Sequence, residues 1–401
     1  MTFMKNNIYK IAVFVLVLIS IFNLIRPISQ NFSKFTERFN PKTYEKSYNL
    51  SQYVIPQSKN AISDETLLSY AGYRYATGLN PVLINSDHPP LGKYIIGWVT
   101  LLTGNNRIVS IIFALGNLFL VFYFISLVTK SSLLSSLGIL FLTFDSMFID
   151  QIIHSPILDI IQVFFLLLYF VFFALWIKKE KSLTIIFMGL ALGAMSAVKI
   201  YFPIFVVLLS SALTLIVLKK PVIKTVKLLA TVIFVTAAVY TFSYLQFFIE
   251  GNSFRTFLGT QKWIFLFWKN NSVQSTKYFG DFLTLSLFNQ WKVWWGDKTY
   301  IQFVLWNIMW PVFLISGVIP SIYFLIKAIK IFFTPKVKYS EKNYNLQIVI
   351  LLSSWVTLGT TYLSLLPISP RYIMIVYFPI YILVPTVLQL LVNRLKSKKY
   401  V

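Results

Sequence analysis

The sequence lacks cysteine altogether and uses charged residues sparingly. With no cysteine among 401 residues, disulfide bonds, zinc–thiolate sites and thiol nucleophiles are excluded. Charged residues make up 12% of the chain, whereas an ordinary soluble domain carries about twice that share. Acidic residues are the scarcest, at 13 against 36 lysines and arginines, so the formal net charge is +23. This composition is not typical of a soluble domain.

What the chain has in abundance is apolar sequence. Hydrophobic residues make up 57% of it, and the mean hydropathy is +0.71. A helix needs about 20 apolar residues to cross the hydrocarbon core, and apolar runs recur along the whole length. We therefore predict an all-α integral membrane protein with about ten transmembrane helices. The predicted spans are residues 9–26, 107–128, 132–148, 156–177, 183–198, 201–218, 225–249, 302–326, 346–366 and 372–393.

The first apolar run is predicted to stay in the mature protein. It follows Lys5 and Lys10, as a signal peptide would, but Arg26-Pro27 follows it instead of a small-residue cleavage site. We interpret this run as a retained anchor.

The basic residues indicate how the helices are oriented. They concentrate in short loops on one side of the predicted bundle, at 5–10, 130, 178–181, 219–227, 327–342 and 394–399. Such loops face the cytoplasm, so residues 27–106 and 250–301 become two long outer loops. Basic loops that orient spans and meet anionic headgroups also account for the net charge without nucleic acid. The expected location is the plasma membrane, with residues 1–401 forming one polytopic membrane domain.

One apolar segment is too short to be a span. Leu91–Thr103 has about 13 residues, and counting it as a span would place the lysine-rich loops outside. We predict an amphipathic helix lying in the outer interface.

The first outer loop contains two groups of residues capable of chemistry. Ser63, Asp64 and Glu65 open a helix-like stretch that Gly78 should end. As a structural feature, Ser63 or Asp64 would cap the helix and Glu65 would complement its dipole. As a functional feature, a carboxylate at a positive helix end would act as a base. The two interpretations are compatible.

The second group is Asp87-His88-Pro89-Pro90-Leu91-Gly92-Lys93. Two prolines restrict the backbone, and Gly92 allows a neighbouring element to approach closely. One interpretation is a proline-initiated interfacial helix with a snorkelling Lys93. The other is a rigid turn whose His88 and Lys93 bind a lipid-borne phosphate.

Further ionisable residues fall at the outer ends of the predicted spans. Ionisable groups at membrane depth are costly and suggest function, although each cation alone could snorkel to the headgroups. These residues are Arg107, Asp150, His154, Asp159, Lys199 and Arg371. Tryptophans in the second loop indicate either an interfacial aromatic belt or a surface for stacking sugars. They are Trp263, Trp268, Trp291, Trp294 and Trp295.

Taken in order, these residues resemble the GT-C membrane glycosyltransferases, most closely the protein O-mannosyltransferase family (glycosyltransferase family 39). The resemblance rests on Asp64-Glu65, then His88 to Lys93, then Arg107 at the start of the next span. Weaker likenesses are Ile157-Leu158-Asp159, the helix from Gly189 to Lys199 and the run from Asn307 to Pro311. Three features depart from the family pattern: Asp87 directly precedes His88, His154 replaces an arginine, and residues 250–301 lack the soluble insert of eukaryotic members.

The resemblance implies transfer of a sugar, mannose or another hexose, from a polyprenyl phosphate to an acceptor hydroxyl on the outer face. Asp64 would be the general base in an inverting displacement, and Glu65 would orient it. His88, Lys93, Arg107 and Lys199 would bind the donor phosphate, with Asp87, His154, Asp159 and Arg371 as secondary candidates. No cofactor is required in this scheme, and no metal-ligand spacing is evident. A divalent cation held by Asp64, Glu65, Asp87 or Asp159 is an alternative.

Three other functions are compatible with the sequence. The acceptor, expected to be protein Ser/Thr, could instead be a lipid or a cell-wall glycan. A secondary transporter would place acids and broken helices at mid-membrane, whereas the acids here lie at outer span ends. A non-catalytic membrane scaffold would leave the carboxylate pair without a role.

Overall fold

The structure, a computed structural model, describes residues 2–199, 202–272, 279–293, 300–333 and 344–398. The first part comprises α1 (Thr2–Gln30), α2 (Phe32–Thr36), α3 (Pro41–Asn49), α4 (Asp64–Ala76), α5 (Leu91–Thr103) and α6 (Ile108–Thr129). The middle comprises α7 (Ser132–Phe144), α8 (Ser146–Ile153), α9 (Leu158–Lys179), α10 (Ser182–Val198), α11 (Pro203–Val217), α12 (Val222–Phe242) and α13 (Leu245–Ile249). The last part comprises α14 (Phe254–Ser272), α15 (Asp281–Phe288), β1 (Trp291–Lys292), β2 (Tyr300–Ile301), α16 (Met309–Phe333), α17 (Tyr344–Ser364) and α18 (Met374–Lys398).

The predicted all-α membrane fold is confirmed, with a different count of full-length spans. Among the described residues, seven helices are long and apolar enough to cross a membrane, or eight if the bent pair α7–α8 is one span. Each of the ten predicted spans contains a helix, but α10 and α11 have only 17 and 15 residues. The predicted span 132–148 is bent by 63° between Phe144 and Ser146. The predicted span 302–326 begins late, because its helix starts at Met309.

The centre of the bundle is formed by α9, α17 and α18. Side chains on several sides of these helices are buried, including Tyr169, Trp176, Trp355, Tyr377 and Tyr381. A helix that is apolar all round is usually buried among other helices, and these three helices are surrounded by the rest of the bundle.

The first long loop folds into helices that pack on one another. The predicted helix at residue 64 is α4, capped by Ser63, whose Oγ accepts a hydrogen bond from Thr66 N at 3.5 Å. Gly78 follows it with φ +98°, as expected for a stop. The predicted interfacial helix 91–103 is α5, with the predicted bounds, and it crosses α4 where Gly72 and Gly97 meet.

The second long loop also has structure of its own. It contains α14, α15 and an antiparallel hairpin in which Trp291 pairs with Ile301. The hairpin is fastened to α15 because Asp281 Oδ1 accepts a hydrogen bond from Lys292 N at 2.9 Å.

The lysine-rich turns gather at one end of the bundle, which we call the lysine end. Glu180, between α9 and α10, pairs with Lys220 at 2.8 Å and with Lys224. Tyr9 OH lies 3.5 Å from Ser131 Oγ, which brings the start of α1 to the turn after α6. Of the basic cluster predicted at 327–342, Lys336, Lys338 and Lys342 fall outside the described residues.

Candidate active site

Two cavities lie side by side at the end of the bundle opposite the lysine end. The polar cavity has a volume of about 1000 Å³ and is bordered by α4, the 85–88 segment and α14. The apolar cavity has a volume of about 400 Å³ and lies between the start of α11, α14 and the 362–375 segment. The two share one wall, which is formed by Asp159, Lys199, Trp268, Arg371 and Tyr372.

Four ionisable side chains form a connected network at this wall, which we call the charged cluster. Arg371 Nη2 lies 2.5 Å from Asp64 Oδ2, and Arg371 Nε lies 3.4 Å from Asp159 Oδ2. The other oxygen of Asp159 pairs with Lys199 Nζ. The two negative charges of the carboxylates therefore balance the two positive charges of Lys199 and Arg371. Buried charges persist in a protein interior when they are paired in this way, so the snorkelling interpretation of Lys199 and Arg371 is wrong.

Each member of the cluster comes from the end of a different element. Asp64 is the first residue of α4, Asp159 lies in the first turn of α9, Lys199 follows α10 and Arg371 lies in a 3-10 turn (Pro370–Ile373) before α18. The positive end of α4 favours the Asp64 carboxylate, and Ser63 satisfies the cap. Ser63 caps the helix, as the structural interpretation expected, and Asp64 faces the polar cavity. The role of Asp64 as a base stays a prediction. Glu65, one residue further along, does not line the described part of either cavity.

Lys93 does not face the cavities, although the sequence suggested that it binds phosphate. Its side chain is fully buried and donates hydrogen bonds to the carbonyl oxygens of Asn85 and, at 2.8 Å, His88. Burial lowers the pKa of Lys93 to about 7, an effect that Asp87 partly opposes. The amine therefore holds the backbone of the 85–88 segment in place. It neither snorkels to the headgroups nor forms part of the shared wall.

Gly92 does allow the close approach that the sequence suggested. A Cβ at this position would lie 2.6 Å from Leu158 Cδ2 and 3.0 Å from the carbonyl oxygen of Val198. Because only glycine fits here, α5 packs directly on the ends of α9 and α10, next to Asp159 and Lys199.

His88 lines the polar cavity as a neutral ring. It stacks on Trp268 with 5.1 Å between ring centroids, and Trp268 Nε1 donates to the carbonyl oxygen of Asp87 at 2.8 Å. Burial, followed by the nearby cations Lys199, Lys93 and Arg371, lowers the pKa of His88 well below its usual value. His88 is therefore available for a hydrogen bond to a ligand but not as the cation that the sequence suggested. Burial also raises the pKa of Asp87.

Three other predicted residues lie away from the cavities. Arg107 directly precedes α6, and its backbone N–H donates a hydrogen bond to Asn105 Oδ1 at 2.7 Å. His154 pairs with Asp150 at 2.6 Å, and its side chain is 59% exposed. Neither Arg107 nor the Asp150–His154 pair lines the described part of either cavity. Asp150 and His154 therefore lie outside the described part of the site although they are close to Asp159 in sequence.

Several aromatic residues at the cavities were not predicted as site residues. Lys199 Nζ lies 4.0 Å above the ring of Tyr372, a cation–π geometry for which the only sequence signal is adjacency to Arg371. Of the predicted tryptophans, Trp263 and Trp268 line the polar cavity, together with Phe267. Trp291 instead donates to the carbonyl oxygen of Ile368 at 2.8 Å. Trp294 and Trp295 lie outside the described residues.

The carboxylates of the site are separated by cations. Within the described ranges, no three His, Asp or Glu side chains come close enough to form a metal-binding group. Asp64 and Asp159 approach different nitrogens of Arg371, Nη2 and Nε, so the guanidinium links the two carboxylates. The arrangement offers two cations to an anion at the boundary between a polar and an apolar space.

Comparison with known proteins identifies a similar fold. No protein-family model matches the chain, and no curated protein matches it either. A solved structure that is similar is ArnT from Cupriavidus metallidurans bound to undecaprenyl phosphate, with a TM-score of 0.56. The match has 14% sequence identity and covers 82% of this chain and 56% of ArnT.

The chain therefore shares its fold with ArnT, which supports the GT-C architecture that the sequence resemblance implied. The chain spans little more than half the length of ArnT. Membership in the protein O-mannosyltransferase family stays a prediction.

Proposed function

We propose that the protein is a glycosyltransferase that moves a sugar from a polyprenyl phosphate to an acceptor hydroxyl. The observation that carries this proposal is the shared wall, where Lys199 and Arg371 lie between an apolar and a polar cavity. A lipid-linked sugar has the matching sequence of parts: an apolar chain, an anionic phosphate and a polar sugar. The GT-C neighbour ArnT, which was crystallised with undecaprenyl phosphate, supports this class of donor.

In this proposal, Asp64 is the general base. The acceptor hydroxyl oxygen forms a bond to the anomeric carbon of the sugar while the bond from that carbon to the phosphate oxygen breaks. The hydroxyl proton passes to Asp64, and the electron pair of the broken bond stays on the lipid phosphate. A single displacement of this kind inverts the anomeric centre.

The leaving phosphate gains negative charge as the bond breaks, so fixed cations at that point lower the barrier. Lys199 and Arg371 fill this role, with Asp159 holding both in place from the protein side. His88 adds a neutral hydrogen-bonding group. The scheme involves neither a nucleotide nor a bound metal ion.

We place the reaction on the outer face of the plasma membrane. The cavities lie opposite the lysine end, and short basic loops face the cytoplasm in membrane proteins. A polyprenyl chain would then enter from the bilayer into the apolar cavity, between α11, α14 and the segment that precedes α18.

For the acceptor, the resemblance favours protein Ser/Thr, and one observation favours a glycan. Trp263 and Phe267 stack at 5.3 Å between centroids, and Trp263 is 46% exposed beside the polar cavity. Flat aromatic faces of this kind suit the apolar face of a sugar ring. A glycan or glycolipid acceptor is therefore the second candidate, and Trp263→Ala should weaken its use more than the use of a peptide.

The test is transfer in proteoliposomes that contain the purified protein and radiolabelled mannosyl or glucosyl undecaprenyl phosphate. Ser/Thr-rich peptides and lipid-linked glycans are offered as acceptors in parallel. We expect Asp64→Asn to slow transfer by about 10²–10⁴-fold, the usual contribution of general base catalysis.

A matched control is Glu45→Gln. Glu45 is a carboxylate of the same loop that also pairs with an arginine, Arg74, at 3.2 Å, but it does not line the described part of either cavity. This variant should transfer sugar at the unsubstituted rate. Undiminished transfer by Asp64→Asn would remove Asp64 from its role. No transfer by the unsubstituted protein with these donors would favour the transporter or the scaffold.

A further inference from the structure

Arg371 forms an ion pair with the carboxylate of Asp64, which is the general base of the proposed reaction. Its guanidinium lies 2.5 Å from Asp64 Oδ2, so this oxygen already has a cationic partner. The same side chain forms part of the wall where the donor phosphate is proposed to bind. If the proposed function holds, one side chain therefore has two tasks: it pairs with the base and it binds the phosphate.

The contacts of Arg371 leave capacity for another anion. Its Nε is buried and makes no hydrogen bond to any described residue; it lies 3.4 Å from Asp159 Oδ2, which also has no hydrogen-bond partner there. A guanidinium has five N–H donors in a planar fork that suits the oxygens of a phosphate. Arg371 can therefore bind a phosphate in place of Asp64 while it keeps its contact with Asp159.

The backbone around Arg371 is held in place, so a change of partner has to come from its side chain. Trp291 Nε1 donates to the carbonyl oxygen of Ile368 at 2.8 Å, and Trp355 Nε1 donates to that of Ile375 at 2.9 Å. The arginine side chain between these two points has several rotatable bonds and is 23% exposed. Its guanidinium can turn between the polar cavity and the shared wall while the backbone stays fixed.

The balance of charge indicates which carboxylate gives up the arginine. The cluster has two cations and two carboxylates, and a donor phosphate adds a third anion. Asp159 is almost fully buried, with 6% side-chain exposure, and needs its cations, whereas Asp64 is 45% exposed and is stabilised by water and by the start of α4. Asp64 is the partner that can be released at lower cost.

We propose that Arg371 changes partner when the donor binds: it leaves Asp64 for the lipid phosphate and thereby frees Asp64 to accept the acceptor's proton. Arg371 is then a positioning residue for the base as well as a ligand of the phosphate. The base becomes available only once the donor is in place.

The exchange predicts that Asp64 competes with the lipid phosphate for Arg371. We would measure binding of undecaprenyl phosphate to the purified protein by native mass spectrometry, for the unsubstituted protein and for Asp64→Asn. Because asparagine competes weakly for the guanidinium, Asp64→Asn should bind the lipid about tenfold more tightly. Glu45→Gln, which also removes a carboxylate from an arginine of this loop, should bind as the unsubstituted protein does.

A double-mutant cycle separates this exchange from simple removal of a negative charge. In an Arg371→Gln background, Asp64→Asn should no longer improve binding, because the shared partner is gone. An improvement of the same size in both backgrounds would show a general charge effect and overturn the exchange. If Arg371→Gln does not fold, Arg371→Met gives the same comparison in a variant without the amide.

The two proposals fail in different ways. Equal affinity of the unsubstituted protein and Asp64→Asn overturns the exchange but leaves the glycosyltransferase in place. Absence of undecaprenyl phosphate binding to the unsubstituted protein, together with absence of transfer, overturns the proposed function and the exchange with it.

Discussion

At the scale of residues, burial decides what each basic side chain does. Lys93, Lys199 and Arg371 all looked like cations available to a phosphate at the membrane surface. In the structure, Lys93 is enclosed by backbone carbonyls, whereas Lys199 and Arg371 meet Asp159 at a cavity wall. A buried cation is stable only when hydrogen-bond acceptors surround it. Whether these acceptors are carbonyls or carboxylates depends on how elements distant in the sequence pack around it.

His88 leads to a prediction about pH. Its pKa is well below the usual value in the folded protein, so the unfolded chain binds more protons as the pH falls below about 6.5. Stability should therefore decrease on acidification. His88→Phe keeps a ring against Trp268 and removes the titration, so its melting temperature should fall less between about pH 7.5 and about pH 5.

The chain has one other histidine, which serves as the control. His154 does not line the described part of either cavity, so His154→Asn leaves His88 in place and should retain the loss of melting temperature that His88 causes. An identical pH response in His88→Phe and in the unsubstituted protein would contradict a buried, neutral His88.

At the scale of elements, polar residues inside apolar helices explain where the predicted spans differ from the structure. Asp145 separates α7 from α8, and its carboxylate accepts hydrogen bonds from Met147 N at 2.9 Å and Tyr381 OH at 2.8 Å. The carboxylate thus caps α8 and produces the bend. The hydrophobic pattern continues across this point, so apolarity alone predicts one straight span.

The crossing of α4 and α5 gives a prediction at this scale. A Cβ on Gly97 would lie 1.9 Å from the carbonyl oxygen of Gly72, so the two helices would have to separate. Gly97→Ala should lower the free energy of unfolding by about 1–3 kcal/mol, as overpacking does. Because α4 carries Asp64, sugar transfer should fall as well, and melting and transfer assays measure the two effects.

The matched control is Gly259→Ala in α14. A Cβ there would meet nothing within 4 Å, and the backbone is helical, so stability and transfer should be retained. Wild-type behaviour of Gly97→Ala would show that the α4–α5 contact does not position Asp64.

At the scale of the whole molecule, the arrangement of the two ends leads to a prediction about topology. The chain has no cysteine, so a single introduced cysteine is its only thiol. Val54 is 46% exposed in the loop beside the polar cavity, and Lys181 is exposed at the lysine end. In intact cells, a membrane-impermeant maleimide should label Val54→Cys, and it should label Lys181→Cys only after permeabilisation. The reverse pattern would place the cavities on the cytoplasmic side.

From the sequence alone we could predict that the protein lies in a membrane, where its helices run, and at which end of the bundle its chemistry is expected. These follow from local properties: the length of apolar runs, the placement of lysines, and the cap and stop residues of α4. They are properties of residues that are neighbours in the chain, so the amino-acid sequence is sufficient to predict them.

The tertiary structure decided which of the candidate residues form the site. Asp64 and Arg371 are 307 positions apart in the chain and yet are in contact, while Glu65, adjacent to Asp64, and His154, near Asp159 in sequence, do not line the described part of either cavity. Such pairings depend on how α4, α9, α10 and α18 pack at one end of the bundle. No local pattern encodes that packing, because it minimises the free energy of all the helices together.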